Sequence, residues 1–140
     1  MKTWVGKIIE QGRVAHLATV DNSGQPHVVP IVYVFDGERI YTPIDEKPKR
    51  VEAYELQRVQ NIEVNPKVAV IIDHYERDWK QLAWVQLRGK ASLTTQGIEY
   101  EEGLALLVTK YEQYQDMLLR GRPLIVIQVE TVTSWRAKGD

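Results

Sequence analysis

The sequence predicts an α+β protein built on a small antiparallel barrel, and three observations lead there. Six or so apolar, β-branched runs are spread along the chain, the first of them joined by loops short enough for hairpins, and helical periodicities sit before and between them. A length of 140 residues, 44% of them hydrophobic and 26% charged, suits one core better than two, so a single domain over residues 1–140 is expected.

The elements follow in order. "TWVGKIIEQG" places Trp4, Val5, Ile8 and Ile9 at helical spacing, with Gly12 as the helix end. "VAHLATV" from Val14 reads as a strand, "DNSG" as turn chemistry, and "HVVPIVYVF" from His27 to Phe35 as the second strand of a hairpin. Pro30 has no N–H for a ladder, which implies an edge, a bulge or a backbone turned toward a ligand. Asp36 and Gly37 turn the chain tightly into "ERIYT", a third strand. Pro48 suits a first helical turn, so a helix is predicted from Pro48 to Val64, stopped by Asn65 and Pro66. "KVAVIIDHY" is continuous enough in hydrophobicity for a strand buried on both faces. "LAWVQLRGKASL" alternates as a long strand should. Thr95 is placed to cap a helix in which Leu104, Leu107, Val108 and Tyr111 recur, and "PLIVIQVETVTSW" ends the fold as a strand or strand pair.

Composition narrows the function classes. A formal net charge of −1 gives no general footprint for nucleic acid, so any anion site must be a local concentration of positive charge. The absence of cysteine excludes disulfides, thiolate nucleophiles and cysteine-ligated metals. No stretch approaches the ~20 apolar residues that span a bilayer, so no membrane partner is expected and the expected location is cytoplasmic.

A nucleophile elbow, a glycine-rich phosphate loop and a dinucleotide fingerprint are all missing, and no catalytic residue can be named. His16, His27 and His74 fall on three predicted strands without metal-like spacing, so no metal site is expected. Asp73, His74 and Tyr75 fit acid–base chemistry or a polar strand end. Trp4 is expected in the core. Trp79, Trp84 and Trp135 fall near strand ends, where an aromatic lines a cofactor pocket or a subunit interface equally well.

The segment "DEKPKRVEAYELQR" concentrates Lys47, Lys49, Arg50 and Arg58. On the predicted helix Arg50, Tyr54 and Arg58 share a face, a spacing that suits a two-point grip on phosphate. The same wheel places Glu52 and Glu55 within the apolar arc of Val51, Leu56, Val59 and Ile62, and a solvated face of Glu/Lys/Arg pairs fits the spacing too.

Three stretches, "GRVAHLATVDNSGQPHVVPIVYVFDGERIYT", "RVQNIEVNPKVAVIID" and "WVQLRGKA", together resemble the pyridoxamine-phosphate-oxidase-like split-barrel flavoproteins over about residues 12–93. Through "DEKPKR", "DHYERDW" and the terminal "SW" the chain is most similar to a short branch of probable deazaflavin-dependent enzymes. The resemblance implies a six-stranded antiparallel split β-barrel with peripheral helices. It implies FMN, or alternatively a deazaflavin coenzyme, at the interface of a homodimer, with hydride passing to or from a small molecule. The alternative is a carrier of the same fold that holds flavin or haem without turnover. Carried over by position, His27, Val28, Val29 and Pro30 would line the ring and ribityl chain, followed by Tyr41 and Thr42. Arg58 matches the family's phosphate-binding cation, and Trp84, with its same-face neighbour Gln86, would contact the cofactor from the second strand pair, often across the dimer. Lys47, Lys49 and Arg50 lie in a longer stretch without family counterparts and are assigned to the phosphate by charge. The chain ends "WRAKGD" without the arginine-containing terminal motif of true pyridoxamine-phosphate oxidases, so that activity is not expected.

Overall fold

The strand expected from His27 to Phe35 is two strands that belong to opposite edges of one sheet. In the computed structural model, which describes residues 1–44 and 55–139, β2 (Pro26–Ile31) pairs with β1 (Ala15–Val20), whereas β3 (Val34–Phe35) pairs with β4 (Arg39–Pro43). The remaining strands are β5 (Lys67–His74), β6 (Ala83–Thr94) and β7 (Leu124–Arg136), and the order across the sheet is β2-β1-β5-β6-β7-β4-β3. Among the described residues there are thus seven strands, where six were expected.

This order dictates the shape. Laid flat, seven strands span about 29 Å between edges, yet only Val32 and Tyr33 connect β2 to β3, a reach of about 11 Å between the flanking α-carbons. The sheet must therefore curl until its two edges approach, which produces a barrel split along β2 and β3. Edge placement also explains Pro26 and Pro30, since an edge strand needs only half of its backbone groups for a ladder.

Alternation then sorts the side chains. Leu17, Ile31, Ile40, Val70, Ile72, Val85, Leu87, Ile125 and Ile127 fill the barrel, joined by Val5 and Ile9 of α1 (Thr3–Gln11). Each such side chain contributes about 1.5–3 kcal/mol by leaving water. A second core lies outside β3, β4 and β7, where Val34, Tyr41, Leu124 and Val126 meet Tyr100, Leu104 and Leu107 of α3 (Ile98–Lys110). Gly12 ends α1 in ordinary extended backbone (φ −62°), so its need is steric, because a Cβ there would collide with the Tyr33 hydroxyl. Gly89 sits at the irregularity between β6 and β7, where a Cβ would strike the carbonyl of Gln128.

Three further expectations change. Helix α2 runs only from Gln57 to Val64, because Leu56 is extended (φ −64°, ψ 139°) and packs its side chain against the barrel core. The expected shared face of Arg50, Tyr54 and Arg58 rests on Arg50 and Tyr54, which lie outside the described residues. β5 buries Val68, Val70 and Ile72 but leaves Ala69 and Ile71 only half covered on the outer face. Thr95 does not cap α3; the cap is Gly97 at φ +101°, a conformation open to glycine.

Candidate functional site

Arg58 reaches a cleft through a buried anchor. On α2, Asn61 is 2% exposed and its side-chain amide donates to the Thr19 hydroxyl of β1 at 2.9 Å, while Gln57 Nε2 donates to Asn61 Oδ1 at 2.7 Å. These bonds, with buried Val59 and Ile62, fix the helix against the barrel, and Arg58 is one turn before Asn61.

The cleft that results has a volume of about 210 Å3 and is lined by Val14, Pro30, Ile31, Val32, Thr42, Pro43 and Arg58. Three elements distant in sequence thus bring together Pro30, Thr42 and Arg58. The half-buried guanidinium offers a planar fork of donors, the geometry suited to a phosphate, beside a hydroxyl and an apolar wall. These features fit the phosphorylated chain of a flavin.

The other expected site residues are placed differently. Thr42 faces the cleft, but its neighbour Tyr41 is fully buried on the α3 side, where its hydroxyl donates to Asp36 Oδ2 at 3.1 Å. Burial, then this bond to Asp36, pushes the phenol up to about 12. On β2, Val29 packs toward the barrel opposite Leu17, and His27 lies opposite Thr19 on the same face. Val28 (60% exposed) and Pro30 project from the outer face. Gln86 and Trp84 also lie on the outer face, but three strands away, about 14 Å across the ladder. There Gln86 neighbours Ile71 and Thr133, and Trp84 neighbours Asp73 and Trp135. Neither lines the cleft that holds Arg58. Lys47, Lys49 and Arg50 lie outside the described residues.

A larger cleft of about 790 Å3 adjoins the first, sharing Val14 and Val32 and continuing along Arg13, Lys110, Tyr111, Tyr114 and Met117. Tyr111 organises it. Its hydroxyl accepts from the Tyr33 N–H at 3.1 Å and lies 2.8 and 3.1 Å from the carbonyl oxygens of Arg13 and Tyr33, to one of which it donates. Arg13 Nη1 donates to the Lys110 carbonyl at 2.5 Å, and the Lys110 ammonium lies 3.9 Å from the Tyr33 ring centroid and 5.4 Å from that of Tyr111. Burial, then the nearby Arg13 cation, lowers the Lys110 amine to about 8, with Glu10 acting in the opposite sense. Burial raises both Tyr33 and Tyr111. Neither Arg13 nor Lys110 was legible as a site residue, because 97 positions separate them. The one local signal is a lysine closing the last turn of α3, where a cation suits the helix dipole.

The remaining polar groups lie elsewhere. His74 Nε2 is 2.5 Å from Glu76 Oε2 in an exposed pair, and Tyr75 and Trp79 are exposed beside it. Trp4 is half-buried, stacked under the Arg136 guanidinium at 4.9 Å. Among the described residues no group of three or more His, Cys, Asp or Glu side chains is arranged to hold a metal ion, and no helix is long and apolar enough to cross a membrane.

A family model described as pyridoxamine 5'-phosphate oxidase matches residues 3–136. Solved structures with the same fold include the haem-storage protein HutZ from Vibrio cholerae (19% identity, 96% of this chain and 93% of that one, TM-score 0.73). An FAD-binding protein from Mesorhizobium loti matches at 18% identity over 96% and 94% of the two chains, with a TM-score of 0.71. An F420 reductase matches at 19% identity over 95% and 98%, with a TM-score of 0.68. A search of curated proteins found no match.

Proposed function

The chain belongs to the pyridoxamine 5'-phosphate oxidase family, which matches it over residues 3–136, and from that premise we propose that it binds a phosphorylated flavin between two copies of itself and exchanges hydride with a small molecule. The observation that carries this reading is the meeting of Arg58, Thr42 and Pro30 around one cleft, with α2 pinned behind Arg58 by the Asn61–Thr19 bond. FMN is the proposed cofactor and a deazaflavin coenzyme the alternative, since both carry a phosphate on the ribityl chain. Bound there, the flavin supplies the hydride chemistry, and the protein supplies position and charge. Arg58 holds the phosphate. Thr42 and Pro30 border the chain, with Val28, Val29 and His27 following along β2. Tyr41 supports Thr42 from the opposite face of β4. In sequence Lys47, Lys49 and Arg50 fall between Pro43 and Arg58, two residues of the cleft lining, and their charges belong to the same proposal.

Trp84 and Gln86 would reach a flavin only from a second copy. The outer face supports such a copy, because Ala69, Ile71 and Trp84 are half covered and Val28 and Trp135 (46% exposed) are open. A second reading, a carrier of flavin or haem without turnover, is favoured by a smaller cleft whose lining, among the described residues, holds no carboxylate or imidazole, and by likeness to a haem-storage protein.

The test is an absorption spectrum and mass spectrum of the ligand that copurifies from a host making both flavin and deazaflavin, followed by stopped-flow reduction with nicotinamide cofactors. A flavin or deazaflavin that is reduced within turnover times supports the oxidoreductase. Haem, or a flavin that no donor reduces, supports the carrier.

A further inference from the structure

We propose that the larger cleft is a docking site for an organic carboxylate with an apolar body, captured by Lys110 and Arg13. Its role as the substrate end of a redox site rests on the flavin reading above, whereas carboxylate capture does not.

The cleft has the size and the make-up of a small-molecule site. About 790 Å3 lies within the usual range of ~300–1,000 Å3, and Val14, Val32, Tyr111, Tyr114 and Met117 give an apolar wall facing a polar side of Arg13, Thr109, Lys110, Glu112 and Gln113. Its charge is unbalanced locally. Among the described residues neither Lys110 nor Arg13 has a carboxylate within ion-pair distance. The carboxylates that face Lys110, Glu10 on α1 and Glu112 beyond α3, stay outside that range.

Lys110 is held in an unfavourable position. Its ammonium is half-buried against Tyr33 and Tyr111, and cation–π attraction returns only part of the lost hydration. A methionine or leucine would fill the same groove without that loss. The backbone around it is fixed, because the Tyr111 hydroxyl and Arg13 Nη1 tie the end of α3 to Arg13 and to the Val32–Tyr33 crossing. A preorganised, partly desolvated cation beside a guanidinium is a receptor for an anion, whose arrival restores the missing counter-charge. The apolar wall selects an anion that brings a hydrophobic body, and Val14 and Val32, shared by both clefts, place that body against the proposed flavin chain.

Calorimetric titration of the purified protein with benzoate, benzamide, inorganic phosphate and FMN tests this. The expected result is saturable benzoate binding, weakened at least about tenfold by Lys110→Met or Arg13→Gln, with benzamide and phosphate weaker than benzoate. FMN affinity should be unchanged in both variants. If Lys110→Met does not fold, Arg13→Gln, at an exposed position, carries the comparison alone. No benzoate binding, equal binding of benzamide, tighter binding of bare phosphate, or unchanged benzoate affinity in a folded variant overturns the proposal. Benzoate binding without binding of FMN or a deazaflavin coenzyme would instead remove the flavin reading and leave carboxylate capture standing.

Discussion

The side-chain amide of Asn61 donates to the Thr19 hydroxyl at 2.9 Å inside the barrel wall, where both residues are almost wholly buried. A buried polar pair of this kind is costly to leave half-made. Asn61→Ala should lower stability by about 1–3 kcal/mol in urea denaturation, and Thr19→Val should cost a similar amount by stranding the amide. The double variant should cost less than the two losses added together, which a double-mutant cycle reads directly. Because Arg58 is one turn away, Asn61→Ala should also weaken FMN.

The contact between Gly12 and Tyr33 is a test of packing alone. The backbone at Gly12 accepts any residue, yet a Cβ would meet the Tyr33 hydroxyl, which donates to the Ile9 carbonyl at 2.7 Å. Gly12→Ala should destabilise by about 1–3 kcal/mol, and adding Tyr33→Phe should recover part of that loss by removing the oxygen. Additive losses in thermal denaturation would contradict the contact.

Lys110 gives a pH dependence with a definite sign. Its amine is lowered to about 8 from 10.5, so between those values the unfolded chain binds more protons than the folded one, and stability rises with pH. Below pH 8 the unfavourable buried charge is fully present. Above pH 10, Tyr33 opposes the trend, because its raised phenol keeps its proton in the folded state alone and stability falls. Among the described residues the charged and titratable groups around Lys110 include Arg13, Glu10, Glu112, Tyr33, Tyr111 and Tyr114. Lys110→Met should be more stable than the parent at pH 7, with the difference shrinking between pH 8 and 10 in urea midpoints.

The outer face should govern assembly. Ile71 is half covered there between His16 and Gln86, so Ile71→Asp leaves the barrel core intact while opposing association. Light scattering should show a dimer for the parent and a monomer for the variant. A parent that is monomeric at working concentrations would contradict the shared site.

Much of the fold was legible because local chemistry and global position agree. Asp36 and Gly37 make the tight turn, Pro30 marks an edge, and the alternation from Leu82 to Leu93 matches a strand from Ala83 to Thr94. The strand from His27 to Phe35 was read as one because Val32 and Tyr33 have strand chemistry; only the identity of their partners, set by the curling of the sheet, separates β2 from β3. The helix expected from Pro48 to Val64 is interrupted at Leu56 because burying that side chain against the barrel outweighs helix continuity there, and its first residues lie outside the described ones. The site was half legible. Arg58, Thr42 and Pro30 line one cleft, while Lys110 and Arg13 meet through contacts that no local pattern encodes.

The most direct test of the central claim is the affinity of FMN and of riboflavin, its counterpart without phosphate, for the parent and for Arg58→Ala. The account predicts that the parent prefers FMN and that Arg58→Ala loses about 1.5–3 kcal/mol toward FMN with riboflavin unchanged. Equal affinity of the parent for the two ligands, or full FMN affinity in Arg58→Ala, would contradict it.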